Sequence, residues 1–213
     1  MFSTKYKSSL LVAIYCLISV SCAYFSAHGR AYKKAQSANK RGHYEKAVYA
    51  SVDALLIKPD YEEVEKIMDE AFPKAIHEHH KKIDRLKSHQ KDFYWDKILN
   101  ELKILKDLKL SLEELDHKKT QIWISKADVR NYISEIDIAK NNAAEGHYQK
   151  ALSLKSNSDR ESQKNAAQQF QLAQSFVNNY KDTQEFYLIS KNAGTTRIAI
   201  LPFANKSGKS RYG

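Results

Sequence analysis

The sequence predicts an all-α fold of stacked antiparallel helical hairpins. Only three Pro and six Gly occur among 213 residues, whereas a sheet-rich chain of this size usually contains more turn residues. Apolar residues recur at helical spacing over most of the chain. The stretch Gly146–Ala151 nearly repeats Gly42–Ala47, and such similarity indicates repeated units that bury the apolar faces of their neighbours.

The first 20 residues have the pattern of an export signal. Lys5 and Lys7 precede an uncharged run of 13 residues, 8–20, whereas a membrane-spanning helix needs about 20. A basic start, a short apolar run and small residues before a cleavage site are typical of secretory signals. An ordinary cleaved signal and an uncleaved anchor remain alternatives to the more specific interpretation that follows.

The end of this segment, 19–22, reads Ser-Val-Ser-Cys and resembles the lipobox of bacterial lipoproteins, with Ser19 where that family prefers Leu. The resemblance implies a signal peptide at 1–21, removed before Cys22, and acylation of Cys22 by chains such as palmitate. Ala23 in place of Asp resembles sorting to the outer membrane, and the expected location is its periplasmic face.

Composition restricts the function further. Apart from Cys16, which the cleavage would remove, Cys22 is the only cysteine, so we expect no disulfide framework. The net charge of +10 favours anionic lipids, acidic glycans or nucleic acid as partners, but the exported location argues against nucleic acid. The basic residues are scattered singly and in pairs, which is typical of solvated helix surfaces.

Residues 31–59 have the pattern of a helical hairpin. Its small and turn-forming residues are Ala35, Gly42, Ala47, Ala54 and Pro59. Small residues allow two helices to approach closely, and Gly42 suits a tight turn because glycine tolerates positive φ. Tyr44 is expected to pack across that turn, and Pro59 to end the second helix.

The spacing of these residues resembles the tetratricopeptide repeat, a 34-residue helical hairpin. Ala35, Ala47 and Ala54 match its small positions, whereas Ala31 and Lys34 depart from its aromatic and aliphatic positions. The resemblance implies a solenoid with a groove that binds peptides or protein surfaces. The helical-repeat domain is expected over 22–192.

A second, degenerate hairpin is predicted from a helix at 61–90 and a partner at 92–108. Asp60 is the expected N-cap, and Pro73 should kink or split the first of these helices. Ser111 and Glu114 resemble a capping box that opens the next helix. The apolar run 122–124 either continues that helix or breaks it, and a long helix follows at 126–154.

Residues 139–180 are interpreted as one extended repeat hairpin. Gly146, Tyr148 and Ala151 repeat the first motif, and Phe170 lies on the inner face of a helix that begins at 160. His43 and His147 have matching positions in the two copies, which predicts a structural role for both at a turn.

A short helix is expected at 184–192, followed by a linker and a buried strand at 197–203. The strand and the Asn-Lys-Ser-Gly turn after it resemble the first strand of the α/β domain of curli-secretion-type lipoproteins. Because a strand needs a sheet, 193–213 is interpreted as the start of a truncated α/β domain. The alternative is a segment that packs on the helices or on a partner.

Candidates for chemistry are weak. The densest cluster of ligand-type residues is the run 77–80, with His77, His79 and His80. Lys81 stands where a zinc helix motif needs its second His, so a solvated helix face is expected for this cluster and no metal. No catalytic constellation, cofactor site or small-molecule site emerges. The expected function is a non-catalytic, lipid-anchored envelope scaffold for another protein. The alternative is the N-terminal part of a secretion or cell-wall-regulating lipoprotein.

Overall fold

The computed structural model describes residues 26–196, and this part of the chain is all-α, as predicted. The chain forms two compact units, and the boundary between them lies between Asn142 and Ala143, within the predicted helical domain. The signal segment, Cys22 and the predicted strand lie outside the described residues. The helices are α1 (Ala27–Lys40), α2 (Tyr44–Ile57), α3 (Glu62–His89), α4 (Tyr94–Glu113), α5 (Thr120–Lys126), α6 (Tyr132–Lys155), α7 (Arg160–Phe176) and α8 (Thr183–Gly194).

Helices α1 and α2 form the hairpin expected at 31–59. Gly42 has φ 73°, and the amides of Gly42 and His43 donate to the carbonyls of Asn39 and Ala38 at 3.0 and 2.9 Å. These two bonds are the Schellman pattern, in which a left-handed residue ends a helix. Three alanines at the helix contacts are fully buried: Ala35, Ala47 and Ala54.

Helix α3 begins later than the sequence suggested. Tyr61 is its N-cap residue, so the prediction of Asp60 was wrong. The carboxylate of Asp60 instead lies 2.6 Å from Lys118 Nζ. Pro73 lies inside α3, which continues through it without splitting.

Helix α4 continues through the position where a new helix was predicted. Ser111 lies inside α4 and donates its hydroxyl to the carbonyl of Leu108 at 2.9 Å, so the capping box with Glu114 was wrong. Such back-bonding satisfies a serine hydroxyl within a helix. The run 122–124 belongs to the separate short helix α5, in which Trp123 is fully buried.

Helix α6 contains the second copy of the repeated motif. Gly146 lies within this helix, and His147 is buried whereas His43 is exposed. The prediction that His43 and His147 occupy equivalent turn positions was therefore wrong. The physical reason lies upstream: Ala143 and Ala144 are buried and helix-favouring, and one glycine costs a helix only about 1 kcal/mol.

The second unit, described by itself, packs the latter part of α6 with α7 and α8. Its core contains Tyr148, Ala151, Ala166, Phe170 and Ala173. The spacing of the last three equals that of Ala47, Ser51 and Ala54 in α2, and all six are fully buried. The equal spacing therefore lies in α2 and α7, whereas Gly42 lies in a turn and Gly146 lies within a helix.

Candidate binding groove

An open groove of about 860 Å³ lies between α1 and α2. Among the described residues that line it, one carries a carboxylate, Asp53, and five are cationic: Arg30, Lys33, Lys34, Arg41 and Lys46. The sequence suggested scattered charges, but spacings of three and four residues bring side chains of one helix onto one face. The antiparallel partner helix then adds Lys46 to the same groove.

The electrostatics of the groove favour an anionic ligand. Within the described part of the chain, no ion pair involves Lys34, Arg41 or Lys46. Burial, with smaller contributions from Glu45 and Asp107, raises the pKa of Tyr49. Its hydroxyl, like that of any tyrosine at neutral pH, is protonated and can donate. Ammonium, guanidinium and hydroxyl donors together suit carboxylate or phosphate oxygens.

The histidine cluster on α3 differs from the solvated face expected for it. His77 is exposed, but His79 is 2% exposed. The Nδ1 atom of His79 lies 2.5 Å from Oε2 of Glu101, and its Nε2 atom lies 3.5 Å from Oε2 of Glu45. His79 therefore connects α2, α3 and α4, which makes it a structural group.

His80 lies beside Asp128 and the hydroxyl of Tyr132, at 3.4 and 3.2 Å. Burial is the main cause that lowers the pKa of His80, and the charge of Arg130 adds to it. Over residues 26–196 no group of three or more His, Cys, Asp and Glu side chains is placed to hold a metal ion.

A second buried cluster attaches α5 to α3, and sequence reasoning missed it. Glu65 is 5% exposed, and its carboxylate lies 2.7 Å from Lys119 Nζ and 3.3 Å from His117 Nε2. The indole of Trp123 donates to Asp69 at 3.0 Å, and its ring stacks on His117. Hydrogen-bonded and stacked in this way, the cluster fastens helices together.

The residues singled out for repeat packing occupy two separate places. Tyr148 and Phe170 meet in the core of the second unit, with ring centroids 6.0 Å apart. In the first unit, the ring of Tyr44 lies under Lys74 of α3, 5.0 Å from its Nζ. The carbonyl of Pro59 accepts from His117 Nε2 at 2.9 Å.

Comparison of the chain with protein-family models, curated proteins and solved structures found no match. Among the described residues, none of the helices combines the length and the apolar character that crossing a membrane requires.

Proposed function

We propose that this chain is a non-catalytic, lipid-anchored scaffold of the bacterial envelope that holds an acidic segment of a partner protein in the groove between α1 and α2. The observation that carries the proposal is the set of five cationic side chains, against one carboxylate, among the described residues that line the groove. Complementary charge steers a partner and favours the correct one.

The anchor rests on the lipobox-like residues before Cys22. Two or more acyl chains on this cysteine would hold the protein stably at a membrane. The outer membrane is proposed from Ala23, and its periplasmic face from the sequence after Cys22, which has no acidic run resembling a surface-export tag. No cofactor is required by this function.

Tetratricopeptide-like stacking of the hairpins is part of the proposal. It is supported by the spacing shared between Ala47, Ser51 and Ala54 in α2 and Ala166, Phe170 and Ala173 in α7. In such folds each hairpin covers the apolar face of its neighbour and leaves a groove for a peptide.

Crosslinking in native membranes tests the groove. A photoreactive residue replaces Ser37, which lines the groove, in the full chain. Adducts are identified by mass spectrometry with and without the charge reversals Lys34→Glu and Lys46→Glu, both at exposed positions. We expect an acidic partner segment in the adduct, and a loss of about tenfold in yield with the double variant.

The matched control is Lys87→Glu with Lys91→Glu, two exposed lysines at the turn between α3 and α4. This variant changes the net charge equally but leaves the groove intact, so its adduct yield should equal that of the wild type. Equal yields from both double variants would reject the groove as the binding site. A partner segment without acidic residues would reject the charge argument.

A second candidate is favoured by one observation, the resemblance of 197–208 to the first strand of curli-secretion-type lipoprotein domains. Under this alternative the helices belong to a secretion or cell-wall-regulating lipoprotein whose activity resides in an α/β domain. A reading frame that continues past Gly213 with further alternating strands and helices would favour it. A stop codon directly after Gly213 would remove it.

A further inference from the structure

One end of the first hairpin exposes two neighbouring apolar side chains. Leu56 and Ile57, in the last turn of α2, are 61% and 52% exposed. Because α1 and α2 are antiparallel, the last turn of α2 lies beside the first turn of α1. The two side chains are therefore at the end of the hairpin from which the chain leads back to Cys22.

Aromatic and cationic groups surround the same end. The ring of Tyr61 lies 5.6 Å from that of His28 and 5.3 Å from that of Tyr32, between centroids. The Nζ atom of Lys58 lies 4.4 Å from the centre of the Tyr61 ring. Tyrosine rings and long lysine side chains suit the boundary between water and lipid, because each has an apolar body and a polar end. We call these six residues the α1–α2 tip.

The distance along the chain restricts where the tip can be. Only four residue steps separate Cys22 from Ser26, the N-cap of α1, and four residues span at most about 14 Å in any conformation. This step rests on the anchor of the proposed function. If Cys22 carries acyl chains in a bilayer, the start of α1 lies within that distance of the lipid headgroups.

We propose that the α1–α2 tip sits in the headgroup layer of the anchoring membrane, with Leu56 and Ile57 inserted at the acyl boundary. Carboxylates near the tip limit how deeply it can insert into the membrane. Asp60 is paired with Lys118 at 2.6 Å, and Glu62 and Glu63 are exposed in the first turn of α3. Charged groups resist transfer into hydrocarbon, so contact is confined to the interface.

Site-directed labelling tests the contact. Full-length Leu56→Cys protein is purified from native membranes, labelled with an environment-sensitive fluorophore and reconstituted in vesicles of phosphatidylethanolamine and phosphatidylglycerol. The control is Lys40→Cys, exposed at the opposite end of α1, about 20 Å away by helical rise. We expect lipids with nitroxide-labelled acyl chains to quench the label at 56 about threefold more than the label at 40.

Ile57→Cys gives a second label site should Leu56→Cys melt below the wild type. The intact mass of each preparation reports acylation of Cys22. A chain without acyl mass overturns the anchor and, with it, this inference. An acylated chain in which the labels at the tip and at 40 are quenched equally overturns the tip contact alone and leaves the anchor standing.

Discussion

The hydroxyl of Tyr180, in the turn before α8, donates a 2.6 Å hydrogen bond to Oε2 of Glu145 on α6. The same oxygen accepts from Lys181 Nζ at 2.5 Å, and Gln149 donates to the other oxygen. Lys181 also lies 4.8 Å from the centre of the Tyr148 ring. One carboxylate therefore holds the turn between α7 and α8 against α6.

Stability of the second unit should depend on the ionisation of Glu145. The hydrogen bonds from Lys181 and then Tyr180 lower the pKa of Glu145 from 4.5 to about 2. A carboxyl with a depressed folded pKa stabilises the fold above its unfolded pKa, and this contribution is lost as the pH falls from about 4.5 towards 2. Glu145→Gln should lower stability at pH 7 by about 1 kcal/mol or less, because the side chain is partly exposed.

The measurement is the midpoint of urea unfolding of wild type and Glu145→Gln at a series of pH values from neutral to strongly acidic. The difference in urea midpoint between wild type and variant should be largest at neutral pH and disappear near the pKa of Glu145 in the folded protein. Glu185→Gln, an exposed glutamate in the first turn of α8, should show no such convergence. A difference that stays constant with pH would mean that ionisation of Glu145 is not the cause.

Gly42 and Gly146 should respond in opposite directions to the same substitution. A Cβ would meet no atom within 4 Å at either site, but only Gly42 has positive φ, 73°. Gly42→Ala should destabilise by roughly 1 kcal/mol, the strain of an L-residue in the left-handed region. Gly146→Ala should stabilise by about 0.5–1 kcal/mol, because alanine loses less backbone entropy within a helix.

Thermal unfolding of the two single variants beside the wild type measures the direction of each stability change. The shared Gly-His-Tyr context makes each variant the control for the other. A loss of stability in both variants would indicate that Gly146 lies in a turn, as the repeated motif suggested. A gain of stability in both would contradict the left-handed conformation of Gly42.

This pair also explains what the sequence could and could not predict. Helical periodicity and small residues identify most helices correctly, because these features report local burial. The repeated motif misled, since a glycine ends a helix only where the residues before it allow, and Ala143 and Ala144 favour continuation. Asp60 failed as a cap for a related reason: Lys118, 58 residues away, takes its carboxylate.

The sequence did not predict the candidate groove either, because the groove depends on how two helices pack together. The spacing of Lys33, Lys34 and Arg41 is visible in the sequence, but the position of Lys46 opposite them depends on the antiparallel hairpin. The sequence does indicate that Glu65 is unusual, because this glutamate lies among the buried apolar residues of α3. Its partner Lys119 lies in an irregular segment, where periodicity gives no information.

Lys118 and Lys119 should differ sharply in their contribution to stability. Lys119 lies 2.7 Å from the carboxylate of Glu65, whose side chain is 7% exposed. Lys118 pairs with Asp60, whose side chain is 82% exposed. Lys119→Met should cost about 1–3 kcal/mol, because it leaves a buried carboxylate short of a partner. Lys118→Met should change stability far less, because solvent screens an exposed surface pair.

Chemical denaturation of the two variants gives the comparison, and the adjacent lysines control for the loss of one positive charge. The double variant Glu65→Leu with Lys119→Met should recover part of the loss, because no charge then remains buried. Equal effects of the two single variants would show that Glu65 does not depend on Lys119.

Gly194 should tolerate no side chain, because α8 ends against the backbone of α7. A Cβ at Gly194 would lie 2.8 Å from the amide nitrogen of Lys164 and 2.9 Å from its Cα. Backbone atoms cannot move aside as a flexible side chain can, so α8 must shift. We expect Gly194→Ala to destabilise the second unit by about 1–3 kcal/mol, the usual cost of forced overpacking. Asn192→Ala, exposed in the same turn, should leave the melting temperature nearly unchanged. If Gly194→Ala melts with the wild type, α8 does not contact α7 at this point.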